Sequence, residues 1–109
     1  MSAWTYLVVA GLFEIGWPVG LKLAQVEGQR LWGVVIAIAF MMASGTLLWL
    51  AQREIPLGTS YAVWTSIGAV GTFFYGVMIY GDPASLGRFL GVGLILGGVV
   101  VLQGPVPVE

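Results

Sequence analysis

The 109-residue sequence contains no cysteine and no histidine. Without cysteine there is no disulfide, no thiolate metal site and no sulfur nucleophile. Without histidine the commonest metal ligand and the usual general base near neutral pH are gone as well. Charge is equally scarce: four basic and five acidic side chains make up 8% of the residues, against about a quarter in an ordinary soluble domain. The net charge of -1 offers no basic face for nucleic acid. Catalysis by hydrolysis or group transfer needs several such groups in one place, so no catalytic residue, metal site or cofactor is expected.

What the chain does have is apolar length. It is 59% hydrophobic, with a mean hydropathy of +0.98. A bilayer core is crossed by about 20 mainly apolar residues, and four such runs stand at residues 4–21, 31–51, 59–80 and 86–102. Lys22, Glu27 and Arg30 with Gly28 separate the first two. Arg53, Glu54, Pro56 and Gly58 end the second, and Gly81, Asp82 and Pro83 end the third. The runs lack the period-2 alternation of a barrel strand and are about twice too long for one. The expected fold is an all-α membrane protein, with four transmembrane helices in one domain over residues 1–109. The N-terminus lacks a basic n-region and a prompt small-residue cleavage site, so the first run reads as a retained helix.

Lys22, Arg30 and Arg88 fall on one side of such a bundle and Arg53 on the other. This weak positive-inside bias would permit insertion both ways round, and with it an antiparallel homodimer. Glycine points to association too, with 17 in the chain. In the fourth run Gly87, Gly91 and Gly98 share one face, and Gly93 and Gly97 form a second small-xxx-small pair. These positions suit a dimer face, or else close packing of that helix within its own chain.

One charge breaks the pattern. Glu14, in "GLFEIGWPVGLK", lies near the middle of the first run. A carboxylate at such a depth is expensive, about 2.5–3.5 kcal/mol on insertion scales, and usually faces a bundle interior or a water-filled cavity. A salt bridge or permanent protonation would be a structural use for it, but no basic residue lies deep in any run. Gly11, Trp17 and Pro18 share its face. Gly11 leaves room, Trp17 offers a π face to a cation, and Pro18 frees a backbone carbonyl and can kink the helix. In the third run Tyr61, Trp64 and Gly68 fall on one face. Trp4, Tyr6, Trp32, Trp49, Tyr75 and Tyr80 look like interfacial anchors, whereas Trp64 lies deeper. Ser44, inside the second run, can bond its own helix backbone or orient Glu14. A lone carboxylate of this kind binds a proton or a cation reversibly. If the two compete for a site open to one side at a time, the outcome is exchange transport.

The motifs "LFEIGWPVGLK" and "IPLGTSYAVWTSIGAVG", at this spacing in a four-span chain, resemble the small multidrug resistance transporters, over the whole length. Trp17, with Gly11 and Ser44, is most similar to the guanidinium-exporter branch. The resemblance implies an antiparallel homodimer in the bacterial inner membrane, whose two Glu14 carboxylates bind either protons or one substrate cation. It also implies that Trp17 and Ser44 position those carboxylates while Tyr61 and Trp64 line the cavity. Two positions depart from the family pattern. Ser66 replaces the first glycine of a flexible Gly-x-Gly segment, leaving Gly68 as the other half of the hinge, and Pro18 replaces an ordinary helix former.

The expected function is thus proton-coupled antiport of guanidinium or small substituted guanidinium cations. The partners are that cation, protons, the lipid bilayer and a second copy of the chain. Export of bulkier quaternary ammonium or aromatic cations is the same-class alternative. A non-transporting membrane subunit, whose Glu14 pairs with another protein's basic residue, is the alternative from a different class.

Overall fold

In lipid every backbone polar group must find its partner within the protein, so apolar runs of this length become helices. The computed structural model describes residues 2–102, which form no regular structure other than helix. The helices are α1 (Ala3–Glu14), α2 (Gly16–Leu23), α3 (Arg30–Ala51), α4 (Leu57–Ile79) and α5 (Leu86–Leu102). They make four spans, because α1 and α2 follow one another within the first run. Ala3–Leu23, Arg30–Ala51 and Leu57–Tyr80 are long and apolar enough to cross a membrane. The 17 residues of α5 reach about 25 Å at 1.5 Å per residue, the short end of the spanning range.

The break in the first span has a chemical cause. Pro18 has no N–H to give to the carbonyl of Glu14, four residues earlier, so the helical ladder loses that rung. The amide of Ile15 turns instead to the Leu12 carbonyl at 3.2 Å, and α2 starts at Gly16. The interruption expected of Pro18 therefore falls immediately after Glu14, where Ile15 keeps helical backbone angles. At the other end of α1 the Ser2 hydroxyl accepts the Thr5 amide at 3.2 Å, which caps the helix.

The first span is the centre of the bundle, packing on α3 along its length and on α4 through α1, while α5 lies against α4. Helices in lipid gain no hydrophobic free energy from meeting, so close contact must come from small residues. Gly20 and Ala24 of the first span meet Gly33 and Ala37 of α3, two small-xxx-small pairs facing each other. A Cβ on Gly20 would stand 2.7 Å from the Ala37 amide nitrogen and 2.8 Å from the Gly33 carbonyl oxygen. The main apolar cluster gathers Ala3, Leu7, Ala51, Ile55, Val63 and Val99. It seals the end of the bundle that holds the α3–α4 link.

Within the spans, large apolar side chains face outward. Leu94 and Val101 are each 79% exposed and Met42 is 68% exposed, a surface that would associate in water and is at home among acyl chains. Gly20→Val is expected to overpack the α2–α3 crossing by about 1–3 kcal/mol and to lower the unfolding temperature in detergent, followed by circular dichroism. Gly58→Ala, where a Cβ meets nothing within 4 Å, is expected to leave that temperature unchanged.

Candidate functional site

Glu14 ends α1 beside the break, half-buried, with its side chain laid across Gly68 of α4. A Cβ on Gly68 would stand 2.5 Å from the Glu14 Cγ, so only glycine leaves the carboxylate this place. An open cavity of about 290 Å³ adjoins it, lined also by Trp17 and Pro18 from α2 and by Thr65, Ala69 and Thr72 from α4. Thr65, Gly68, Ala69 and Thr72 are spaced i, i+3, i+4 and i+7 and make one stripe of α4. The site thus offers one carboxylate, two hydroxyls and an indole face, between apolar walls. The two threonines were not singled out from sequence. Their signal was available: a polar pair at heptad spacing in register with Gly68, on a helix otherwise read for its aromatics.

Ser44, Trp64 and Tyr61 form a separate group. The Ser44 hydroxyl, fully buried, donates to the Ala10 carbonyl at 2.7 Å and accepts from the Trp64 indole N–H at 2.8 Å. It bonds neither its own helix nor Glu14, the two uses expected of it. It ties α1, α3 and α4 together one turn before Glu14. The Tyr61 ring packs against Trp64 at 5.5 Å between centroids and is 56% exposed. In this conformation Trp64 and Ser44 spend their polar groups on each other and on the backbone.

Other expectations meet different neighbours. The room left by Gly11 is taken by Ile67, whose Cβ would lie 2.7 Å from an added Cβ. At the expected hinge, α4 runs unbroken through Ser66 and Gly68. The Ser66 hydroxyl donates back to the Ala62 carbonyl at 2.6 Å, a bond that eases slight bending of a helix. In α5, a Cβ on Gly91, Gly93, Gly97 or Gly98 would meet nothing within 4 Å, and one on Gly87 would only just reach Ser85. Among the described residues, none of these glycines is packed closely against another part of the chain. Tyr75 and Tyr80, expected as anchors, line a cavity with Lys22.

Residues 2–95 match the Small Multidrug Resistance protein family. The chain belongs to that family. Its relatives include the guanidinium exporter of Yersinia pestis, 48% identical over 93% of this chain and 96% of the relative. The guanidinium exporter of Citrobacter freundii is 44% identical over 93% of this chain and 95% of its own. That of Salmonella typhimurium strain LT2 is 43% identical over the same shares. With its apolar spans and bacterial relatives, the chain is a multi-pass protein of the bacterial inner membrane.

Ser44→Ala leaves the Ala10 carbonyl and the Trp64 N–H without their buried partner. A loss of about 1–3 kcal/mol is expected, measured as reduced stability to denaturant in detergent. Changed Trp64 fluorescence should accompany it.

Proposed function

We propose that this chain is a proton-coupled antiporter that exports guanidinium or small substituted guanidinium cations. The observation that carries the reading is a carboxylate at mid-span, Glu14, open to a cavity of about 290 Å³ that holds no other charged side chain among its lining residues. Guanidinium is flat and carries a fork of N–H donors, which a carboxylate accepts two at a time. The Thr65 and Thr72 hydroxyls can accept further N–H groups, and the Trp17 ring can cover the cation's face. The names of the relatives support this choice of substrate.

Coupling follows from the same chemistry. A bare carboxylate is costly inside a span, so Glu14 is best neutralised at all times, by a proton or by a cation but not by both. A site that releases one only on taking the other, and that faces one side at a time, exchanges them. Gly68 stands against the Glu14 side chain on α4, two residues after Ser66, and a small bend there would swing the cavity wall.

The functional unit in this reading is an antiparallel homodimer that brings two Glu14 carboxylates to one site. Three features support it. Among the described residues the α5 glycines find no close neighbour beyond Ser85, the charge bias between the two ends is weak, and Glu14 has no basic partner in the spans. Trp17 would then position the carboxylates, with Ser44 doing so indirectly through Ala10 and Trp64, and Tyr61 would line the shared cavity.

The test is uptake driven by a proton gradient into liposomes containing the purified protein, with guanidinium compared against a bulky quaternary ammonium. Guanidinium exchange is expected, with little of the bulky ion. Glu14→Gln should reduce it roughly 100-fold or more, the scale of losing one partner of a desolvated charge pair. Equal exchange of both cations would favour a broad exporter, and exchange of neither would end the transport reading.

A further inference from the structure

Below the Glu14 cavity lies a second one of about 150 Å³, and the two share Pro18 and Thr72. Its other lining includes Lys22, Tyr75, Tyr80 and Asp82. Glu14, Pro18 and Lys22 are spaced i, i+4 and i+8, so they follow one face of the first span. Lys22 stands about 12 Å further along the axis than Glu14, at the end of the bundle away from the main apolar cluster.

The second cavity is built for a cation. The Tyr75 and Tyr80 rings are 6.0 Å apart between centroids. Asp82 is brought to them by the way α4 ends. Gly81, with φ of +70°, reverses the chain, and the Asp82 amide donates back to the Gly76 carbonyl at 3.1 Å. The helix thus stops at a glycine in the left-handed region, a common way for a helix to end. The Asp82 carboxylate then folds so closely over Gly76 that a side chain there would collide with its oxygen. Two aromatic faces and a carboxylate in a cavity next to that of Glu14 are the groups that attract an organic cation from water.

A cation already lies there, and it belongs to the protein. The Lys22 ammonium is 5.6 Å from the centre of the Tyr80 ring. We propose that Tyr75, Tyr80 and Asp82 form an outer site for guanidinium-type cations on the way to Glu14, held at rest by the tethered ammonium of Lys22, which an arriving cation displaces. This rests on the reading of the chain as a cation exporter. An exposed cation–π contact is weak, as a contact that must be broken in every cycle needs to be. Lys22 would set how readily the outer site fills, and Glu14 would do the exchange.

The chain has a single lysine, which makes the proposal directly observable. Dimethylation with 13C-formaldehyde keeps the positive charge of Lys22 and gives it a methyl signal distinct from that of the N-terminal amine. In full-length Glu14→Gln protein in nanodiscs, the Tyr80 ring current should hold the Lys22 methyl protons upfield. Titration with guanidinium should move them, saturably, to the position of free dimethyl-lysine. Tyr80→Phe should behave in the same way, whereas Tyr80→Leu should start at the free position and not move. Asp82→Asn should weaken the guanidinium dependence.

In the transport assay on protein with Glu14 intact, Lys22→Gln should lower the guanidinium KM and Tyr80→Leu should raise it, each by about three- to fivefold. Lys22 signals that guanidinium leaves unmoved in Glu14→Gln protein would overturn the outer site. So would a KM indifferent to Lys22 and Tyr80 in a chain that transports guanidinium. A wild-type chain that moves no guanidinium would instead sink the exporter reading itself.

Discussion

The close crossing of the first span over α3 decides where everything else can stand. Gly20, Ala24, Gly33 and Ala37 let two backbones come into contact, in a solvent that gives helices no hydrophobic reason to meet. Once that crossing is made, Ser44 is near enough to reach the Ala10 carbonyl and to take the Trp64 indole proton, so α4 is drawn into the same frame. Only then does Gly68 lie under Glu14. A carboxylate can be kept in the middle of an apolar bundle because three helices have been brought around it by small residues and one hydroxyl.

The two ends of the bundle are unlike each other. Towards the α3–α4 link, Leu7, Val63, Ala51 and Ile55 fill the space between the helices. Towards the opposite end, two cavities that share Pro18 and Thr72 lie between α2 and α4, one beside Glu14 and one beside Lys22. The Pro18 break marks the boundary between the two halves.

Much of the architecture was legible in the sequence, because a membrane makes simple demands. Length and apolarity locate the spans, and Glu14 stands out as the one charge that no boundary explains. The site around it was only partly legible. Trp17 follows from helical spacing, and the interrupted ladder follows from the missing proline N–H. What one helix shows to another depends on its rotation about its axis, and no periodicity within a single uniformly apolar helix gives that. Thus Thr65 and Thr72 passed unnoticed, and the space at Gly11 proved to be filled by Ile67 of another helix. Ser44 spends its hydroxyl on a neighbour 34 positions away. Tyr80 has the residue type and the depth of an interfacial anchor. Its contact with Lys22 arises from how α2 and α4 lie together.

The glycines of α5 carry a further consequence. Five of its 17 residues are glycine, and each costs about 1 kcal/mol relative to alanine in a helix bathed in water. Such a segment has little intrinsic reason to be helical. Within hydrocarbon the choice disappears, because an unpaired amide there costs more than the lost backbone freedom. The bilayer, more than the sequence, therefore holds α5 in shape. The face that α5 presents takes shape only once lipid surrounds it.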